Sequence, residues 1–305
     1  MTGTDTTVSS TTPIVAGSLT GIHVYPVKSC RGIGLDRVEV TSRGPAGDRM
    51  FQVIDSDARP ITQRQAPRLA TVQPTLVDGG LRLEAGGRPA IEIASPSAND
   101  TTAMSLLGAS VEAADAGAGA AGWFSELLGA PVQLVAITDG SEHRVPFPDA
   151  EMQVGWADGA SVLVVNSASL EWLNDRADEP FGMDRFRPNF TVDADAWVED
   201  TWRDLSVGPA RLGVGLAWPR CAIPQIDQVD GSRHRQPARV LKAHRWCSDA
   251  SSAHPALRPI LEGNALFGIA CSVSEPSVTV TIGDDVIVHR TGHRIIDAPP
   301  VSYTH

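Results

Sequence analysis

Between residues 13 and 95, short runs rich in Val and Ile are cut by Gly, Pro and Asp, and this punctuation points to a β-rich fold. Ser18 to Val27, Ile33 to Thr41, Met50 to Ile54 and Ala70 to Leu76 have strand length, separated by turns such as Arg43-Gly44-Pro45 and Asp78-Gly79-Gly80. A second block follows at Ser161 to Val165, Asn189 to Val192, Leu205 to Val207, Arg211 to Leu216 and Val278 to Ile282. Short helices are expected at Trp123 to Leu128, near Ser167 and near Pro255 to Leu261. Residues 96–122 are poor in large apolar groups and read as a loop or connection, and residues 139–158 as a long loop. The expected class is α+β and β-rich, with two β-barrel-like parts and a few short helices. A Thr- and Ser-rich disordered tail at 1–16 would precede parts at 17–138 and 139–305.

Charge narrows the partners. Lys and Arg total 25 against 36 Asp and Glu, a net charge of −11. Binding to nucleic acid or an anionic membrane draws on counterion release from a basic face, so neither partner is expected. No apolar run approaches the length of a membrane span, and the N-terminus lacks the features of a signal peptide. The four cysteines form no C-x-x-C pair, which argues against a zinc ribbon and for a reducing, cytoplasmic compartment. Only two cations are lysines, Lys28 and Lys242, marking them as positions where a compact ammonium is useful.

The strongest chemical candidate is Cys221, in Trp218-Pro219-Arg220-Cys221-Ala222-Ile223-Pro224. A thiol beside a guanidinium is biased toward thiolate, which binds soft metals or attacks electrophiles. Asp227 follows six positions on. Cationic and polar groups also gather at Lys28-Ser29-Cys30, Gly47-Asp48-Arg49, Thr62-Gln63-Arg64-Gln65 and Arg185-Phe186-Arg187-Pro188-Asn189. On an extended chain Arg187 and Asn189 face one side, offering a phosphate clamp and a heterocycle partner. Ser167, at a helix start, adds a hydroxyl and free backbone N–H groups. Taken together these groups describe a pocket for an anionic, heterocyclic, metal-bearing ligand. His143, His234 and His244 are candidate acids or bases, each more simply a surface or core histidine. Gly117-Ala118-Gly119-Ala120-Ala121-Gly122 matches G-x-G-x-x-G, but the run before it is a poor buried parallel strand, and an Ala/Gly-rich loop is the better reading.

Val24-Tyr25-Pro26-Val27-Lys28-Ser29-Cys30, Gly47-Asp48-Arg49, Arg64-Gln65-Ala66-Pro67-Arg68-Leu69, Arg185-Phe186-Arg187-Pro188-Asn189 and Arg220-Cys221 stand in the order seen in MOSC proteins. The chain resembles the branch with an N-terminal MOSC β-barrel domain, which includes the amidoxime-reducing proteins. That resemblance implies a molybdenum cofactor (Mo-molybdopterin), with Cys221 ligating the metal. It implies cofactor contacts for Lys28, Ser29, Arg49, Ser167, Arg187, Asn189, Pro219 and Arg220. The implied activity is removal of oxygen from N-hydroxylated or N-oxide compounds. Asp227 or His244 would handle protons, and a separate donor of flavin reductase, cytochrome or ferredoxin type would supply electrons. The alternatives are a sulfur carrier using a Cys221 persulfide, or a protein that binds and delivers the cofactor. The relatives' threonines after the cysteine are absent here, and Ala270 stands where the animal proteins carry tyrosine. The substrate wall is therefore expected to differ.

Overall fold

The computed structural model describes residues 10–96, 101–106, 109–137, 144–147, 150–294 and 296. His143 and residues 1–9 of the expected tail lie outside the described residues, while residues 10–16 of that tail are strand, paired with the strand at Asp285–Thr291. Seven strands close into a barrel: β1 Ser10–Val24, β2 Val162–Asn166, β3 Phe190–Ala194, β4 Trp202–Val207, β5 Ala210–Pro219, β6 Asn264–Val273 and β7 Asp285–Thr291. Their order around the barrel is β2-β3-β1-β7-β4-β5-β6, with β6 returning to β2. The β2–β3 pair is parallel and the other barrel pairs are antiparallel.

Alternation explains why these segments form a barrel. Leu19, Ile22, Val164, Phe190, Val192, Leu205, Leu212, Ile269 and Val288 bury one face of their strands in a single core. β6 is buried from Ala265 through Cys271, so it reads as a continuous apolar run. The sequence reading passed over β6, and over β7.

The N-terminal half has its own core. Phe51–Asp55, Val132–Ala136, Ala109–Asp115 and Thr101–Leu106 form an antiparallel sheet, and Gln73–Val77, Gly80–Glu84 and Ile91–Ala94 form a meander. Helix α1, Gly117–Leu128, buries Trp123, Phe124 and Leu127 against this core. The β-rich α+β class holds, with one closed barrel and open sheets among the described residues.

Three local expectations are corrected. Residues 101–106 and 109–115 are paired strands, because the ladder is made by main-chain N–H and C=O groups and does not need large apolar side chains. The glycine-rich run is the first half of α1, where the Gly117 N–H is held by Asp115 at 2.8 Å and the alanines favour helix. The strand before it is antiparallel on both sides, so the dinucleotide resemblance has no crossover behind it. The loop expected at 139–158 contains a hairpin, Arg144–Phe147 with Ala150–Gln153.

Helix α2, Ser167–Asn174, follows β2 and is capped by Asn166, whose side chain accepts from the Ala168 N–H at 3.2 Å. Helix α3, Gln236–His244, begins with Pro237 in its first turn and buries Val240 and Leu241. A short helix α4, Arg258–Leu261, precedes β6.

Candidate functional site

Where β1 ends, the chain crosses from the barrel into the N-terminal core. The Lys28 N–H donates to Phe51 O at 2.8 Å and the Arg49 N–H to Tyr25 O at 2.9 Å, tying the two cationic segments side by side. Opposite them lies the turn before β3. The Tyr25 hydroxyl donates to Pro188 O at 3.0 Å, and Arg187 donates to Cys30 O at 2.6 Å. A cleft of about 760 Å³, counting the open solvent at its mouth, runs along this seam. Lys28, Ser29, Arg49, Arg187, Asn189, Pro219, Arg220 and Cys221 all line it.

Tyr25 organises the floor. Its ring lies between two guanidiniums, with Arg49 at 4.4 Å and Arg187 at 4.2 Å from the centroid. Asp48 takes the Tyr25 N–H at 2.8 Å and Arg49 at 2.5 Å. Burial pushes the Tyr25 phenol above its ordinary range, so it stays a donor. Burial also lowers Arg187, to about 10, which still leaves it charged at neutral pH. Ser29, Arg49 and Arg187 have φ of 69°, 45° and 55°. Non-glycine residues in that region cost energy and gather where a site demands them.

Lys28 meets a carboxylate that the sequence reading missed. Its ammonium is 2.6 Å from Asp158, which also faces Arg64 at 3.5 Å. Burial alone would raise Asp158, but Lys28, Arg64 and Arg49 outweigh it and hold the carboxyl below its usual range. Lys28, Arg49, Arg64, Arg185, Arg187 and Arg220 stand against Asp48, Asp158 and Asp227, six cations to three carboxylates. In a chain of net charge −11, this local excess suits an anionic ligand.

Cys221 is exposed, whereas Cys30, Cys247 and Cys271 are buried. Burial raises all three of those thiols, Cys30 to about 12, so they are poor nucleophiles and ligands. Arg220 donates to Phe186 O at 2.6 Å and lies 5.0 Å from the Phe186 ring centre. Its Nε is buried without a partner. Burial, against the opposing pull of Cys221, brings Arg220 down to about 10. Trp156, Trp218, Ile223 and Pro224 give the cleft an apolar side.

Several expected roles change. Arg187 and Asn189 are not on one extended face: Arg187 ends the short Met183–Phe186 turn of helix in a left-handed conformation, before β3 begins at Phe190. Asn189 is spent on backbone, accepting from the Leu163 N–H at 3.1 Å and donating to His23 O at 3.3 Å. Ser167 starts α2 as expected but is absent from the cleft lining, and its hydroxyl contacts Val192 O and Asp193. Asp227 is not at the cleft surface; it anchors Arg185 at 2.5 Å and accepts from the Val229 N–H. His244 packs edge-on to Trp172, outside the cleft. Ala270 is buried in the barrel wall between Leu163 and Leu216 and is absent from the cleft lining. The buried pair Gln63 and Gln228 was also missed as a bridge: Gln228 accepts from Arg187 at 3.3 Å and from Gln63 at 2.9 Å, linking the two halves. An isolated glutamine carries no signal of such a role in sequence.

A barrel edged by a cation-rich cleft with an exposed thiol defines a class of protein able to accept an anionic ligand beside that thiol. The model of the MOSC N-terminal beta barrel domain matches residues 16–131 and that of the MOSC domain matches residues 151–287. The chain is 32% identical over 284 residues to the human protein "Mitochondrial amidoxime reducing component 2", covering 88% of this chain and 83% of that one. The Bos taurus protein of the same name is also 32% identical, over 88% and 82%. Human "Mitochondrial amidoxime-reducing component 1" is 29% identical over the same shares. The chain therefore belongs to the MOSC-domain family, with both the MOSC N-terminal and MOSC domains.

Proposed function

We propose that this protein is a molybdenum-cofactor-dependent oxidoreductase that reduces N-hydroxylated compounds. One observation carries the reading. The exposed thiol of Cys221 sits at the rim of a cation-rich cleft, beside an Arg220 Nε that is buried without a partner. An unpaired buried donor is costly unless a ligand satisfies it. No group of three or more metal-ligating side chains occurs among the described residues, so a metal here would bring most of its own ligands. A dithiolene-bearing pterin phosphate with one protein thiolate fits that donor set.

In this reading Cys221 ligates the metal, and Lys28, Arg49 and Arg220 hold the anionic part of the cofactor. When bound, the cofactor supplies two-electron removal of oxygen. The chain's residues position the charges and exclude water through Trp156, Trp218, Ile223 and Pro224. The overall change, R–NHOH with two electrons and two protons giving R–NH₂ and water, requires an external donor. Asp227, held by Arg185, positions that guanidinium at the cleft edge.

The test is metal and pterin analysis of protein from a cofactor-competent host, with benzamidoxime reduction driven by an artificial donor. Stoichiometric molybdenum and pterin, and loss of both metal and activity in Cys221→Ala, are expected. A metal-free protein carrying sulfane sulfur on Cys221 would establish the sulfur-carrier alternative instead. Full activity in Cys221→Ala would overturn the reading.

A further inference from the structure

Reduction at this cleft consumes two electrons from outside the chain, so a donor must reach the cleft mouth; the inference below rests on that reading. The surface beside the mouth has an unusual charge. In a chain of net charge −11, residues 231–245 carry five cations and no carboxylate: Arg233, Arg235, Arg239, Lys242 and Arg245. Arg245 is buried on Asp200, but the other four are exposed. Arg235, Arg239 and Lys242 are spaced four and three residues apart, so they run along one face of α3 and its N-terminal end. Arg239 meets Asp178 at 3.1 Å, both largely exposed, a pair of little strength in water.

The basic stretch brackets the mouth. On one side, the Ile223–Gln225 turn begins two residues after Cys221, and its Gln225 O accepts from the His234 N–H at 2.7 Å. The neighbouring Arg233 donates to Arg64 O at 2.8 Å, and Arg64 itself reaches Asp158 in the cleft. On the other side, the Lys242 ammonium lies 5.3 Å from the centre of the Trp246 ring. The Trp246–Cys247 strand pairs with Asn264–Ala265 of β6, and Ala265 O accepts from the Arg220 N–H at 2.8 Å. Two strand spacings, about 10 Å, separate the Trp246 backbone from Arg220. Trp246 is 42% exposed, and Val229, on the loop between Asp227 and Ser232, is 72% exposed. Of the nearby carboxylates, Asp158, Asp178 and Asp227 face cations of this chain, while Asp230 on the loop and Asp249 and Glu262 beside the Trp246–Cys247 strand are exposed.

We propose that α3 and the loop before it form the docking face for an acidic electron-donor protein, with Trp246 as its apolar anchor. Arg and Trp are the residues that interfaces enrich and that dominate their energetics. A positive patch on an otherwise negative protein steers an acidic partner to this face and repels it from the rest. Each docking delivers one electron, and two dockings complete the reduction written above. Electron-transfer encounters are small and charge-guided, so the complex is weak and sensitive to salt.

The test uses reduced plant-type [2Fe–2S] ferredoxin, an acidic one-electron donor, and reduced methyl viologen, a small one. Each is supplied in turn to the holoenzyme with benzamidoxime. Combined Arg233→Glu, Arg235→Glu and Lys242→Glu should raise KM for ferredoxin at least tenfold and flatten its dependence on ionic strength. The viologen-driven rate should stay within twofold of wild type. Calorimetric binding of oxidised ferredoxin, which needs no turnover, should weaken by the same factor. Trp246→Ala should weaken binding several-fold with the salt dependence intact. An unchanged Kd and salt response in the triple variant overturns the proposal, as does wild-type protein that binds phosphatidylserine vesicles but not ferredoxin. Salt-sensitive ferredoxin binding without viologen-driven reduction keeps the docking face and removes the reductase reading.

Discussion

Tyr25 shows how one residue sets the charge geometry of the cleft. Its hydroxyl is the only part of the ring that needs a polar partner, and Pro188 O supplies it at 3.0 Å. Tyr25→Phe should therefore cost about 1 kcal/mol, the net value of one hydrogen bond. Tyr25→Ala also removes the surface on which Arg49 and Arg187 stack, so its cost should be about 3 kcal/mol or more in denaturant unfolding. Its second effect should be weaker retention of the cofactor, read as pterin per protein. A Tyr25→Ala protein as stable and as well loaded as Tyr25→Phe would remove the organising role. The cations of the cleft were legible in sequence because Arg beside turns stands out in an acidic chain. Asp158 was not, since an Asp-Gly dipeptide reads first as a turn and only the fold carries it to Lys28.

At the scale of elements, the barrel is tightest where β1 passes β3. A Cβ on Gly17 would stand 2.0 Å from Asp193 O, so Gly17→Ala forces the two strands apart. The expected cost is about 2 kcal/mol, typical of overpacking, measured by urea unfolding. A second element-scale effect arises where α2, the turn before β4 and the end of α3 meet. Asp200 takes the buried Arg245 guanidinium through both oxygens, at 2.9 and 2.8 Å, while Glu199 has no cation on it and receives Asn166 at 3.0 Å. Arg203 and Arg294 lie near Asp200. Burial first, then the Asp200 charge, raises Glu199 to about 7 from its ordinary 4.5. The folded state then binds more protons than the unfolded state between those values, so this group's stabilisation is full at acid pH and is lost as pH rises toward neutrality. Glu199→Gln should flatten that slope and leave the variant about 2 kcal/mol more stable at pH 8 relative to wild type. An unchanged slope in unfolding measured from pH 5 to 8 would count against it. Strands rich in Val and Ile were readable from sequence, as was α2 starting at Ser167. β6 escaped because burial on both faces erases alternation, and α3 because its exposed face is almost wholly basic.

At the scale of the whole molecule, chain order and structural order part company. The sequence suggests two consecutive parts, yet β1 leaves the N-terminal half to pair with β3 on one side and β7 on the other. The barrel closes through residues separated by most of the chain, as in Ser18 opposite both Asp193 and Asp285. Leu19, Ile22 and Val24 fill its core, so a barrel without β1 would expose that core and two unpaired strand edges. The cleft adds further joints, Tyr25 to Pro188 and Arg187 to Cys30, which couple the two cores. The segment 139–305 expressed alone should therefore fail to give a cooperative unfolding transition and should bind hydrophobic dye. The full chain should unfold in one transition by near- and far-UV circular dichroism. Supplying residues 10–24 at the C-terminus through a flexible linker should restore cooperativity, because strand pairing depends on place in the sheet and not on place in the chain. Cooperative folding of 139–305 by itself would show that β3 and β7 can close without their central strand, and that the N-terminal half is attached to the barrel but is not part of it.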